Sequence, residues 1–242
     1  GIASELVAAK YDLSRQAMDE YSARSHARAD HAQQTGQFDR EIYPIHTPDG
    51  VVNKDETIRA GTTAEKLGGL KASFENAALK ERFPQINWSV TAGNASQISD
   101  GAAAMLIMSQ RMADKLGLKA RARFVAFDVI GDDPLLMLTA PIASSKRAIE
   151  KSGLSKDDID HYEVNEAFAT VPLAWQKELD VSDEKLNPRG GSIALGHPLG
   201  ASGVRIMTTL LHALEDNNQR YGLQTMCEAG GMANTTIIER LA

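Results

Sequence analysis

Apolar and polar positions fall into two textures along the chain, and the change comes at Val90. Over the first 35 residues the pattern is helical: Ala17, Met18 and Tyr21 share one face, Ser14 is placed as an N-cap and Gly36 as a stop. From Phe38 to Ser89 the periodicity breaks up, with turn signals at Tyr43-Pro44, Thr47-Pro48-Asp49-Gly50 and Gly68-Gly69. This stretch reads as a loop-rich subdomain whose few apolar residues dock on another part of the fold. Beyond Val90, strand-like and helical runs alternate. Ser99 or Asp100 is placed to cap a helix through Ala102–Met112 that ends near Gly117. Phe124–Ile130 reads as a strand and Ile142–Lys151 as a helix stopped at Gly153. His161–Val164 reads as a short strand running straight into a helix that Glu166 opens. Helical spacing returns at Met207, Leu210, Leu211 and Leu214 within Val204–Leu214. Thr225–Cys227 and Thr235–Ile238 read as two buried strands joined by a glycine-rich turn. Such alternation implies an α/β sandwich or a doubly wound sheet.

Composition narrows the class. The 242 residues suffice for one large domain or two small ones, and 43% apolar with 24% charged residues is ordinary for a globular chain. Lys and Arg number 26 against 32 Asp and Glu, a net charge of −6 without a basic block, which argues against a phosphate-tracking nucleic-acid binder. No apolar run approaches the length that spans a membrane. Cys227 is the only cysteine, so an internal disulfide framework and a cysteine-built zinc site are excluded. A reducing compartment is expected: the cytoplasm, or an organelle matrix. The chain begins Gly1-Ile2-Ala3 with neither an initiator Met nor a leader, which suits a portion of a longer polypeptide.

Four places could carry chemistry. Cys227 ends a predicted strand just before Glu228-Ala229-Gly230-Gly231, where small residues let backbone approach a ligand closely. On position alone the favoured reading is an inert, small buried hydrophobe. His197 lies in Gly190–Gly203, a glycine-rich segment leading into a helix, where free N–H groups attract negative charge. An imidazole there can bond an oxyanion or exchange a proton near neutral pH, or serve only as a capped, satisfied side chain. The segment matches neither the dinucleotide-binding nor the P-loop spacing. Asn165 closes a strand, where functional groups of open α/β sheets gather; it could anchor a water or a carbonyl, or act as an N-cap. Thr91-Ala92-Gly93-Asn94-Ala95-Ser96, before Asp100-Gly101-Ala102, is a polar loop entering a predicted helix. His26, His31, His46, His161 and His212 show no ligand spacing, so no metal is assigned, and Glu166 and Glu228 form no evident acid/base pair.

Taken together, Asn165-Glu166-Ala167-Phe168-Ala169, the Gly-His-Pro segment and Cys227 with its glycine turn resemble the thiolases in order and spacing. Thr91–Ser96 with Asp100–Ala104 is similar to that family's coenzyme A segment, and the likeness covers nearly the whole chain. The resemblance implies a layered αβα sandwich of the thiolase type, here its C-terminal half plus a loop-rich subdomain. It implies thiolytic cleavage of a 3-oxoacyl-CoA, or the reverse Claisen condensation, with coenzyme A as substrate and no permanently bound cofactor. Two cysteines serve that mechanism; by motif Cys227 is the acid/base thiol. His197 matches the histidine that activates the nucleophile and donates to the thioester oxyanion. Asn165 matches the residue that holds a water in the oxyanion hole. Ser96 matches a serine on the pantetheine arm, and Arg59 a basic residue near the adenine. A thiolate base requires a lowered pKa, expected here from His197.

Three departures from the family pattern stand out. The nucleophilic cysteine is absent, and in the family it lies in an N-terminal segment that this chain does not contain. Ala229 replaces a glycine two residues after Cys227, which predicts strain if that position needs φ > 0. Asn76–Gln85 is an insertion before the coenzyme A segment. The implied organisation is a loop-rich coenzyme A-binding subdomain over 1–98, a remnant of the N-terminal core domain over 99–118 and a C-terminal domain over 119–242. Expected partners are acyl-CoA and coenzyme A, with neither nucleic acid nor membrane, and a homo-oligomer in the complete enzyme. The alternative is a non-catalytic coenzyme A-binding or partner-binding protein of the same type; a hydrolase built on Cys227 and His197 lacks an orienting group. Three expectations follow: His197, Asn165 and Cys227 converge at one end of the sheet, Ser96 and Phe38–Ser89 line a coenzyme A channel, and the chain alone does not turn over 3-oxoacyl-CoA.

Overall fold

The structure is a computed structural model and describes residues 1–241. It opens with two helices where one was expected: α1 (Ile2–Tyr11) and α2 (Arg15–Gln34). Asp12 ends α1 in the left-handed region at φ 51°, and the Ser14 hydroxyl accepts the Ala17 N–H at 3.1 Å to start α2. A capping side chain against a helix signal on both sides makes a break, not a bend.

The stretch up to Ser89 is irregular, as expected, but it holds short elements. β1 (Ile45–Thr47) and β2 (Gly50–Val52) form an exposed hairpin; α3 (Ala64–Gly68) and α4 (Ala77–Arg82) start at Thr63 and Asn76 side-chain caps. Having no core of its own, this stretch is fastened by polar contacts. Arg15 donates to the Leu67 and Leu70 carbonyls at 2.7 and 3.0 Å. The buried Glu5 carboxylate accepts the Ser89 and Val90 N–H groups at 2.9 and 2.8 Å.

The helix expected over Ala102–Met112 is not there. Asp100–Met108 is extended and forms no backbone hydrogen bond among the described residues, and the helix α5 covers only Gln110–Leu116. Ser109, not Ser99 or Asp100, is its cap, with Gly117 ending it at φ 65°. A continuous apolar run fits a buried strand as well as a helix, and periodicity alone does not separate them.

The rest is a four-stranded mixed sheet in the order β3 (Ala122–Gly131), β6 (Met232–Arg240), β5 (Tyr221–Glu228), β4 (His161–Val164). β4 pairs parallel to β5, and the other two pairings are antiparallel. The outer edge of β4 is bridged by residues 185–187. Tyr162 donates its N–H to the Lys185 carbonyl at 2.8 Å and accepts the Asn187 N–H at 2.9 Å. The Asn187 side-chain amide accepts the Val164 N–H at 2.8 Å and donates to the Val164 carbonyl at 2.9 Å. That amide does for one residue what a neighbouring strand would do.

Helices cover both faces. α6 (Ala140–Ser152) and α7 (Thr170–Leu179) lie on one; α9 (Ser202–Asp216) lies on the other, and the single turn α8 (Ser192–Leu195) packs on α2. Strand alternation assigns the faces. Leu223, Ile237, Tyr162 and Trp175 join one buried cluster, and Thr235 reaches Ser144 of α6 at 2.8 Å. Ile238 packs instead with Met207, Leu210 and Leu214 of α9. The Trp175 ring meets Tyr162 at 5.2 Å and its indole N–H donates to Ser145 at 2.9 Å, so a fully buried tryptophan leaves no polar atom unpaired. The layers are helix, sheet, helix: the αβα arrangement expected. α7 begins at Thr170, so Glu166 does not open a helix; Asn165–Ala169 is a turn between β4 and α7 that frees its side chains for other bonds.

Candidate active site

Three backbone features bring the site together. Asn165 leaves the end of β4 and donates its N–H to the Thr225 carbonyl of β5 at 3.1 Å. Ser96 donates its N–H to the Ala167 carbonyl at 3.0 Å, which lays the 91–97 segment beside that turn. His197 donates its N–H to the Gln97 carbonyl at 3.2 Å. Gly191 is required by the close approach of the same turn, since a Cβ there would lie 2.3 Å from Cδ of Glu166.

Asn165 and His197 are in direct contact, with Nδ2 of the amide 3.3 Å from Nε2 of the ring. The partners on either side fix the proton positions. Ser192 donates to Oδ1 of Asn165 at 2.6 Å, which turns the amide N–H groups toward His197. Ser202 donates to the Pro198 carbonyl at 2.9 Å, so its oxygen accepts from Nδ1–H of His197 at 2.6 Å. Nε2 is then the free base of a neutral imidazole. Burial first, and then the positive charge of Arg205, hold the His197 pKa below its ordinary value. An imidazole in this state accepts a proton at one defined atom.

Cys227 sits at the same end of the sheet, two residues beyond Thr225, but it bonds to neither Asn165 nor His197. It shares the strand face of Leu223 and Thr225 and packs against the apolar cluster under α6. Burial pushes its pKa up to about 11, with Glu228 adding to the rise. The lowered pKa expected from His197 is therefore corrected: desolvation outweighs any nearby cation, and the sulfur is held as a thiol. The strain expected at Ala229 is also absent, because the positive φ angles fall on Gly230 and Gly231, at 88° and 87°.

Ser96 is half-buried, and its hydroxyl has no hydrogen-bond partner among the described residues. Arg59 is exposed; its N–H donates to Nδ1 of His26 at 3.1 Å and its guanidinium reaches the Gln97 amide oxygen at 3.5 Å. Gln97 ties these parts together, donating to the Thr57 and Ile193 carbonyls at 2.7 and 3.1 Å. Among the described residues no cluster of His, Cys, Asp or Glu could hold a metal ion, and no helix is long and apolar enough to cross a membrane.

Sequence reasoning missed Ser192, Ser202 and Arg205, and it undervalued Glu166. The Glu166 carboxylate is wholly buried without a cation. It accepts from Tyr21 at 2.8 Å, Ser25 at 2.7 Å, Asn187 at 3.1 Å and the Ile193 N–H at 3.1 Å, and burial raises its pKa. One side chain thereby clamps α2, the β4–α7 turn and the His197 segment. The only signal in the sequence was the density of small polar residues around the glycines.

A fold with this αβα layering, carrying an Asn–His pair between a strand end and a glycine loop, is that of the thiolases. The family model for thiolase N-terminal domains matches residues 1–111 and that for C-terminal domains residues 118–240. The chain belongs to the thiolase family. It is 48% identical over 238 residues to the steroid 3-ketoacyl-CoA thiolase FadA6 of Mycobacterium tuberculosis, covering 98% of this chain and 56% of that one. A 3-ketoacyl-CoA thiolase of Klebsiella pneumoniae is 46% identical over 249 residues, covering 100% and 62%. Among solved structures, the Bacillus anthracis acetyl-CoA acetyltransferase superposes with a TM-score of 0.91 at 39% identity, over 99% of this chain and 59% of that one. Human mitochondrial 3-ketoacyl-CoA thiolase in complex with CoA gives 0.88 at 34%, over 99% and 58%. The chain thus spans 56–62% of the length of these curated relatives.

Proposed function

We propose that this chain contributes to acyl transfer between a 3-oxoacyl-CoA and coenzyme A. What carries the reading is the Asn165–His197 pair: two groups 3.3 Å apart, one aimed as a donor and the other as a base, at the mouth of a turn bonded to the Ser96 segment. His197 takes the proton of an attacking thiol at Nε2 and, once charged, donates to the carbonyl oxygen as it becomes negative; Asn165 supplies a second fixed donor. In the cleavage direction the C2–C3 bond of the substrate breaks and its electron pair becomes an acetyl-CoA enolate. Cys227, held as a thiol, gives that carbon a proton. Ser96 and Arg59 hold the coenzyme A arm and its adenine end.

The acyl group needs a second thiol. Cys227 cannot both carry it and protonate the enolate, and no other cysteine is present. The acylated cysteine comes from polypeptide outside these 242 residues. Thiolysis of a 3-oxoacyl-CoA, assayed on the longest polypeptide that carries this sequence and on these residues alone, tests the reading. Turnover by the former, with His197→Ala lowering it on the order of 100- to 10,000-fold, and none by the latter, is the expected outcome. Turnover by these residues alone overturns the role given to Cys227. Coenzyme A binding without turnover in either form leaves the non-catalytic alternative.

A further inference from the structure

The hydrogen bonds at the site run in one direction and begin at a residue outside the Asn–His pair. Arg205, in the first turn of α9, places Nη2 3.4 Å from the Ser192 oxygen. Ser192 then donates to Oδ1 of Asn165, Asn165 to Nε2 of His197, and His197 through Nδ1 to Ser202, which ends at the Pro198 carbonyl. Reversing any one bond leaves two donors or two acceptors facing each other, so the cationic end, which can only donate, fixes the sense of the whole row.

Arg205 is an unusual occupant of such a place. Its guanidinium is half-buried, yet among the described residues no carboxylate lies within 4.0 Å of it. Its Nη1 is buried without a hydrogen-bond partner among the described residues. Arg121 is paired with Glu215, Arg189 with Asp216, and Arg123 and Arg220 with Glu239; Arg28, which also has no carboxylate partner, is satisfied instead by the Leu186 and Asp183 carbonyls. A buried, uncompensated cation costs stability, so it persists where its charge is used.

We infer that Arg205 is a positioning residue for the proposed acyl transfer: acting through Ser192, it aims the Asn165 amide at Nε2 of His197, and its unpaired charge opposes protonation of that ring. The other ionisable groups on the surrounding elements are turned elsewhere. Glu166 faces Tyr21 and Ser25, Glu163 faces His161, Arg59 faces Gln97, Glu228 bonds Asn234, and Asp100 is exposed. Cys227 bonds to neither Asn165 nor His197 and is held as a thiol. That leaves Arg205 as the cation acting on His197, in line with the lowered pKa. The consequence for the reaction is a stronger acid once His197 has been protonated, ready to return its proton to a departing thiolate.

This inference rests on the acyl-transfer reading for its purpose but not for its test. Titration of the His197 ring by NMR in these 242 residues, with His197→Gln identifying the signal, reads the ionisation without any turnover. Arg205→Met removes the charge at similar length and should raise the His197 pKa by about one unit. Arg205→Lys keeps the charge but not the planar fork, so the pKa should stay low while the Asn165 side-chain amide signals move. Ser192→Ala should leave the pKa in place and move the same amide signals, since it cuts the row without altering charge. An unchanged His197 pKa in folded Arg205→Met overturns the electrostatic role, and unmoved Asn165 signals in both Arg205→Lys and Ser192→Ala overturn the positioning role. If Arg205→Met fails to fold, the Lys and Ala variants still decide the second point, and Arg205→Gln replaces it for the first. In the longest polypeptide, the acid limb of kcat/KM should move up with the same variant. Absence of turnover there, with the NMR shift intact, would count against the proposed reaction and not against Arg205.

Discussion

Two apolar runs in this chain end in opposite states, and the more hydrophobic of them is the one left outside. Ala102–Met108 contains no polar side chain, yet Leu106 and Ile107 are 77% and 63% exposed and its backbone has no hydrogen-bond partner among the described residues. Tyr221–Cys227 includes Gln224 and Thr225, yet Leu223 is completely buried and the strand is paired on both sides by β4 and β6. Hydrophobicity supplies the drive to leave water, but a strand can do so only if its N–H and C=O groups are bonded too. β5 finds that pairing within the chain. The extended run does not, and among the described residues Met105 alone of it reaches a packed cluster, against α9.

The largest difference between the two runs should appear in amide hydrogen exchange. Local opening of a central strand approaches the cost of global unfolding, whereas unbonded amides exchange almost freely. Leu223 and Thr225 should be protected by on the order of 1,000-fold or more, and Ala103–Ile107 by almost nothing. Comparable protection in both runs would mean that the extended segment pairs in solution, with a second copy or with the chain itself. Substitution gives a smaller contrast. Leu223→Ala should cost about 2–5 kcal/mol in urea unfolding, through lost burial and a residual cavity. Leu106→Ala should cost about 0.5 kcal/mol or less, as at other exposed sites. A large effect at Leu106 would break the comparison.

The same contrast explains what was legible beforehand. The paired half was readable: β4 starts and stops at His161 and Val164 as expected, α6 ends at Gly153 in the left-handed region, and the turn at Gly230-Gly231 joins the last two strands. These elements carry their own caps, glycines and alternation. The extended run is preceded by cap candidates, Ser99 and Asp100, that the fold does not use, so its apolar residues read as a helix. The site was readable in part. Asn165 and His197 stood out because strand ends and glycine loops are where backbone leaves room for chemistry. Ser192, Ser202 and Arg205 did not, because their roles depend on which residue of a distant segment each one faces. The state of Cys227 was misread for the opposite reason: the resemblance implied a thiolate favoured by His197, while its face of the strand looks into the core.

That last point yields the subtlest test of the comparison, because Cys227 is where the buried run meets the site. Its thiol pKa of about 11 in the folded chain lies above the ordinary cysteine range. The folded state therefore holds the proton to a higher pH than the unfolded one. This contribution to stability is complete below about pH 8.5, the unfolded value, and is lost as pH rises toward the folded one. Alkylation by iodoacetamide reads the thiolate directly. Its rate should rise with a midpoint near pH 11 in the folded chain, and near that of a free cysteine in urea. At pH 8.5 the folded thiol should react on the order of 100-fold more slowly than the unfolded one. A folded midpoint at or below that of free cysteine would show that a cation reaches the sulfur. It would also show that this end of β5 opens to solvent, so the buried run would stop short of Cys227. With the midpoint near 11, Cys227 enters the proposed reaction as a proton donor, and any step that needs its thiolate has to form it within the substrate complex.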